Sequence, residues 1–227
     1  MSVYNDDVLL IHIPKAGGTS CRDFMLAHLP GAVDSIGRNG GPLPIDSTPL
    51  RHIEEYTKRP LDSWQKIVIP IRDPYEQVVS HWAYHWDRFA RGGRHLHDLT
   101  GALNHTLTQW LLDPHSDFRL WYELAVRGAS AEAVTKLLSS TGFYEYWIAL
   151  EDGSVPDNVE IVKLESLSQD FPQAIAAWTG GAIGFPHKRS SPHGRDPSVY
   201  FTEMAHALVA ERFRWTFEKG YYERRAA

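Results

Sequence analysis

Residues 8–20 read VLLIHIPKAGGTS, from Val8 through Pro14, Lys15, Gly17 and Gly18 to Ser20. Val8 to Ile13 is a short, mostly apolar run with β-branched residues, which predicts a buried strand of a parallel sheet. Pro14 has no N–H to give to a sheet ladder and ends that strand. Gly17 and Gly18 let the backbone turn tightly and come close to a ligand. Thr19 and Ser20 then open a helix through Cys21, Phe24, Met25 and Leu29. A strand, a glycine turn and a helix N-terminus make an anion site, because free N–H groups and the positive end of the helix dipole face one spot. Lys15 adds a full positive charge there and the two hydroxyls add donors. The pattern GxxxxGK[ST] is absent, since Lys15 precedes the glycines, and GxGxxG is absent too. Both absences argue against an ordinary Walker-type triphosphatase and against a dinucleotide site. Against the anion-site reading stands a tight turn whose lysine is merely solvated.

A second anchor lies downstream. Lys66 to Ile71, KIVIPI, is another short apolar strand, followed by Arg72-Asp73-Pro74 and a helix carrying Val78, Val79, Ser80 and Trp82. Arg72 offers a bidentate fork to a phosphate, and Ser80 lies about two helical turns into the helix. Asp73 before Pro74 is a good N-cap with proline at N1. A local Arg72–Asp73 ion pair at that helix start is the bland reading, and the two roles can coexist.

IPKAGGTS followed by a strand, RDP and Ser80 resembles the sulfotransferases that use 3′-phosphoadenosine 5′-phosphosulfate (PAPS). The nearer likeness is to their carbohydrate-type branch, which includes heparan sulfate 2-O-sulfotransferase. The resemblance implies an α/β fold, a three-layer parallel sheet flanked by helices in a P-loop kinase-like layout. It implies that Lys15, Ala16, Gly17, Gly18, Thr19 and Ser20 bind the 5′-phosphosulfate, and that Arg72 and Ser80 bind the 3′-phosphate. A basic loop closes over the nucleotide in the family, which carries over to Lys188, Arg189 and Ser190 in GFPHKRSSPHGRDPS, 184–198. The family's general base is a histidine at a similar distance before RDP. His52, 20 residues before Arg72, takes that place. Imidazole titrates in the range needed to take a proton from an attacking hydroxyl. A surface histidine at a helix start is the alternative reading of His52. Lys15 would neutralise charge on the bridging oxygen as the nucleotide leaves, and no metal is required by the residues present. Gln77 departs from the family, where a second arginine often sits.

The chain has 227 residues, 43% of them hydrophobic, which suits one domain over 1–227 with a substantial core. A formal charge of −5 and a pI near 6.2 argue against a general nucleic-acid or polyanion binder. Cys21 is the only cysteine, so there is no intrachain disulfide and no thiolate metal cage. No run approaches the roughly 18 apolar residues that span a membrane. The start, MSVYNDDVLLIHI, has no basic n-region and no cleavage site. Family members of the Golgi carry an anchor, so the expectation here is a soluble, cytoplasmic enzyme of bacterial type.

The rest of the chain supplies walls. Residues 32–36 suggest a short strand, and Ser47 or Thr48 caps a predicted helix from Pro49 to Lys58. The helix after Arg72 runs to about Arg91, with Trp82, Trp86 and Phe89 at helical spacing. His81 and His85 are four apart, but no nearby Glu or Cys completes a metal motif. Residues 97–140 read as helices that shape the acceptor cleft. There Trp110, Trp121 and Tyr122 are core of a helical layer or platforms for a sugar. FYEYWIAL, 143–150, reads as strand-like, VEIVKLESL, 159–167, as a strand, and Gln169 to Thr179 as a helix capped by Ser166 or Ser168 and stopped by Gly180-Gly181. A last helix, Phe201 to Lys219, packs the sheet through Met204, Leu208, Phe213 and Trp215.

The expected reaction is sulfuryl transfer from PAPS, as co-substrate, to a hydroxylated acceptor: a glycan, a lipid or a small metabolite. Two other classes stay open. One is a P-loop-type nucleotide kinase or phosphotransferase, which needs a Mg²⁺ ligand set; the other is a nucleotide-binding module without catalysis.

Overall fold

The structure, a computed structural model, describes residues 3–34, 48–90, 107–182, 184–186 and 197–226, with the backbone alone at 86–90 and 197. It divides into two compact units, each made of two chain segments. The first is Met1–Arg72 with Tyr146–Arg189; the second is Asp73–Glu145 with Ser190–Ala227.

The first unit is α/β. Its strands are β1 (Val3–Tyr4), β2 (Val8–Leu10), β3 (Val33–Asp34), β4 (Lys66–Ile71) and β5 (Val159–Lys163), in the order β3-β1-β2-β4-β5. β2, β4 and β5 run parallel, as the apolar runs predict, with Leu10 beside Val68 and Ile71 beside Lys163. β1 is antiparallel to both β2 and β3, so the five-stranded sheet is mixed where an all-parallel one is expected. The cause is local: Asn5 Oδ1 accepts the N–H groups of Asp7 and Val8 at 2.9 and 2.8 Å, turning the chain back directly into β2. β2 itself is shorter than the apolar run, although Ile11 still donates to the Val68 carbonyl at 3.0 Å.

Two helices cover one face of this sheet. They are α1 (Gly18–His28) and α8 (Leu167–Ala174). Cys21, Phe24, Met25 and Leu29 from the first and Leu167, Phe171 and Ile175 at the second close over Val8, Leu10, Val68 and Val162. Each such fully buried side chain contributes about 1.5–3 kcal/mol relative to exposure. Cys21 sits inside this core, where burial pushes its thiol well above the ordinary range, so it is packing rather than a nucleophile. Leu9, Ile67, Ile69 and Ile71, which alternate to the other face, are buried as well.

The helix expected at 49–58 is a 3₁₀ turn, Leu50–His52, followed by α2 (Ile53–Thr57). Pro49 holds the cap position and the Thr48 side chain makes no capping bond; Ser47 lies outside the described residues. After β5 a 3₁₀ turn, Leu164–Ser166, leads into α8, and α9 (Ala176–Thr179) ends at Gly180 in the left-handed conformation. Ser166 sits at the N-cap of α8, but its hydroxyl bonds the Asp170 carboxylate instead of a backbone N–H.

The second unit is helical where it is described. α3 (Pro74–Ala90) starts as predicted: Asp73 Oδ1 accepts the N–H groups of Tyr75 and Glu76 at 2.9 and 3.1 Å, with Pro74 in the first turn. α4 (Leu107–Leu112), α5 (Phe118–Trp121) with a π turn after it (Tyr122–Val126), and α6 (Ala131–Ser140) follow. FYEYWIAL is not strand-like. It forms α7 (Phe143–Ile148), whose first three residues belong to this unit and whose last three to the first, and Glu145 reaches back to the Gly142 N–H at 2.7 Å, half of a capping box. The last helix is split into α10 (Glu203–Arg212) and α11 (Arg214–Glu218). Within its own unit α10 packs on α3 and α4 through Ala205 and Val209; Met204, expected to be buried, is 57% exposed. Trp110 and Tyr122 are buried core, and Trp82 meets the Tyr200 ring at 5.3 Å.

An ion cluster pins this unit. Asp117 is 4% exposed and accepts Arg119 Nε at 2.9 Å and Arg119 Nη2 at 2.7 Å, with Arg212 Nε 3.8 Å away. Arg119 also donates to the Thr141 carbonyl, and Arg212 to the Leu111 carbonyl at 2.9 Å. No described helix is long and apolar enough to cross a membrane.

Candidate functional site

The three parallel strands of the first unit leave the sheet at one edge. From β2 the chain runs through α1 to β3 on one side of the sheet, whereas β4 and β5 lie on the other side. The order therefore reverses between β2 and β4, the place where open α/β sheets bind ligands at the carboxyl ends of their strands.

The turn after β2 is built to that edge by three separate constraints. Ala16 N–H bonds the Ile13 carbonyl at 3.3 Å, and Ala16 is fully buried. Lys15 has φ 66° and Gly17 φ 85°, both left-handed. That conformation is open to glycine but costs a lysine on the order of 1 kcal/mol or more. A Cβ on Gly17 would lie 2.6 Å from Leu164 Cδ1 and 2.7 Å from Leu167 Cδ2. Gly17 thus requires glycine twice, for its φ and for the leucines that close over it.

Gly17 is the N-cap of α1, and its carbonyl accepts Ser20 N–H at 3.0 Å and Cys21 N–H at 3.4 Å. The N–H groups of Gly18 and Thr19 stand in the first turn, where helix geometry offers no acceptor behind them. Thr19 is half-buried and Ser20 buried. Arg72 follows β4 directly. Its predecessor Ile71 is the register partner of Lys163, and Leu164, next after Lys163, is the residue that covers Gly17. Register therefore brings the Lys15–Ser20 turn and Arg72 to the same edge of the same sheet. A guanidinium, an ammonium and first-turn N–H groups at one edge can hold a doubly or triply charged anion.

His52 belongs to the same unit. It is buried, at the end of the 3₁₀ turn before α2, with its ring edge-on to Tyr146 at 6.4 Å. The Arg51 guanidinium lies over the same Tyr146 ring at 5.4 Å. This is not an exposed histidine at a helix start. Ser80 is fully buried on α3, in the second unit, with Gln77 buried one turn earlier. Lys188, Arg189 and Ser190 lie outside the described residues. On the same helix as Ser80, His81 and His85 bring their Nε2 atoms to 2.8 Å, a histidine–histidine hydrogen bond.

Sequence reasoning passed over His12. Its ring lies against Gly18 at the start of α1: a Cβ there would be 1.8 Å from His12 Cδ2. The signal was a polar residue between two buried isoleucines, two residues before Pro14. Comparison with protein-family models, with curated proteins and with solved structures finds no match to this chain.

Proposed function

We propose that the chain is a sulfotransferase of three-layer, P-loop kinase-like layout. It would transfer a sulfuryl group from PAPS to a hydroxyl of a carbohydrate or small-molecule acceptor. One observation supports this reading above the others: the Lys15–Ser20 turn opens α1 at the sheet edge where Arg72 ends the neighbouring parallel strand. In the proposed roles, Lys15 and the first-turn N–H groups with Thr19 hold the phosphosulfate, and Arg72 holds the 3′-phosphate. The resemblance assigns Ser80 to that phosphate as well, and Lys188, Arg189 and Ser190 to the nucleotide.

The acceptor oxygen attacks sulfur as the bond from sulfur to the bridging oxygen breaks. The electron pair leaves with 3′-phosphoadenosine 5′-phosphate, where Lys15 meets the developing charge. His52 takes the acceptor's proton. This is positioning and electrostatics, as in phosphoryl transfer.

Calorimetric titration with 3′-phosphoadenosine 5′-phosphate, with ADP as control, tests the donor. The expected result is binding that needs the 3′-phosphate and disappears in Arg72→Ala. Equal binding of ADP would favour a kinase or phosphotransferase, and no binding of either would overturn the donor site altogether. His52→Ala is expected to lower kcat while leaving affinity for the nucleotide product nearly intact. Equal loss of both in steady-state kinetics and calorimetry would make His52 a structural residue.

A further inference from the structure

We infer that His12 is the clasp of the anion loop, a positioning residue whose ring holds the turn 13–17 in its binding shape. The inference rests on the donor site proposed above and deepens it. Between His12 and Gly18 the chain doubles back through two left-handed residues, Lys15 and Gly17. One of these is a lysine, which does not hold that conformation unaided. Three contacts fix the turn. Ala16 is buried, Leu164 and Leu167 close over Gly17, and the His12 ring closes over Gly18.

The last of these is the tightest. A Cβ on Gly18 would stand 1.8 Å from His12 Cδ2, 2.5 Å from Cγ and 2.6 Å from Nε2. The imidazole thus occupies the volume that any side chain at position 18 would need. Gly18 has no left-handed φ to explain it, so the ring is the reason for the glycine. Ile11 and Ile13 on either side are fully buried, and the half-buried His12 points away from them, toward the helix start. The ring ties the exit of β2 to the first residue of α1. It thereby sets where Lys15 and the N–H groups of Gly18 and Thr19 converge. A loop held in its bound shape before the ligand arrives loses less freedom on binding.

The two positions form a steric pair, and a double-mutant cycle reads their coupling. The probe is 3′-phosphoadenosine 5′-phosphate, titrated by calorimetry into wild type, His12→Phe, His12→Ala, Gly18→Ala and the double variant His12→Ala/Gly18→Ala. Thermal unfolding of each variant checks the fold. His12→Ala is expected to bind about tenfold more weakly, through lost preorganisation. Gly18→Ala forces ring and helix apart, displaces the first-turn N–H groups, and should weaken binding more than His12→Ala does. The double variant, with the methyl in the vacated space, should bind more tightly than Gly18→Ala. His12→Phe, which keeps the ring, should stay near wild type. If Gly18→Ala does not fold, recovery of a folded, binding protein in the double variant makes the same point. His12→Ala binding as wild type does, His12→Phe binding as weakly as His12→Ala, or a double variant no better than Gly18→Ala would each overturn the clasp. Wild type that fails to bind the nucleotide at all is a different result, which removes the donor site and the clasp with it.

Discussion

Replacing Lys15 should lower sulfuryl transfer from PAPS by about two or more powers of ten, the scale of removing one charge contact to a developing anion. Glycine is a sharper replacement than alanine. Lys15 sits at φ 66°, so Lys15→Gly removes the ammonium and relieves backbone strain in one step. The variant should therefore be inactive yet at least as resistant to thermal unfolding as wild type. Arg72→Ala should lose rate on a similar scale, through weaker donor binding. Turnover at the wild-type rate in both variants, followed by release of 3′-phosphoadenosine 5′-phosphate, would sink the assignment. Loss of rate together with loss of fold would not answer the question for alanine, which is why glycine belongs in the set.

Asp117→Ala is expected to cost about 3–5 kcal/mol of stability, the range seen when one partner of a buried ion pair is removed. The carboxylate faces Arg119 and Arg212 in a site it shares with almost no water, and its loss strands two guanidinium groups. Burial alone would push the Asp117 carboxyl up; the Arg119 charge and hydrogen bonds, with Arg212, outweigh it and hold the group below its ordinary range. Burial pulls the Arg212 guanidinium down, opposed by Asp117. The sign of the pH dependence follows. A carboxyl with a depressed folded value contributes its stability above the unfolded value, about 3.9 for aspartate. That contribution drains away as pH falls from there through the folded value. Urea unfolding between about pH 5 and pH 2 should show a slope in wild type that is shallower in Asp117→Asn. Parallel slopes would mean that other carboxylates carry the acid sensitivity.

Local chemistry was legible where it sufficed. The apolar runs before Pro14 and before Arg72 are parallel neighbours, VEIVK is the third strand beside them, and Asp73 caps the helix that Pro74 begins. Where non-local pairing or a single capping contact decided the outcome, the reading failed. β1 is two residues long and exists because Val3 meets Leu10 on one side and Asp34 on the other. FYEYWIAL has the aromatic content of a strand, but Glu145 three residues after Gly142 was the overlooked start signal of a helix. In α10 the buried stripe is Ala205 and Val209, residues too small to stand out, so the larger Met204 was placed inside and lies outside. The Lys15–Ser20 loop was legible as a list of residues. His12 was not, because residues 12 and 18 meet only once the left-handed turns at 15 and 17 are known.

The interleaving of the two units has a consequence for how the protein is made. β4 ends at Ile71, and its parallel neighbour β5 does not begin until Val159. Between them the ribosome delivers the whole of segment 73–145, which belongs to the second unit. At about 5–20 residues per second, the β4 edge waits roughly four to eighteen seconds for its partner. KIVIPI is apolar throughout apart from Lys66, an open edge of the kind that recruits other chains. Its gatekeepers are the lysine at one end and Arg72-Asp73-Pro74 at the other. The arginine proposed to hold a phosphate in the finished fold would first serve the nascent chain, as a charge that keeps an unpaired strand from pairing with the wrong one.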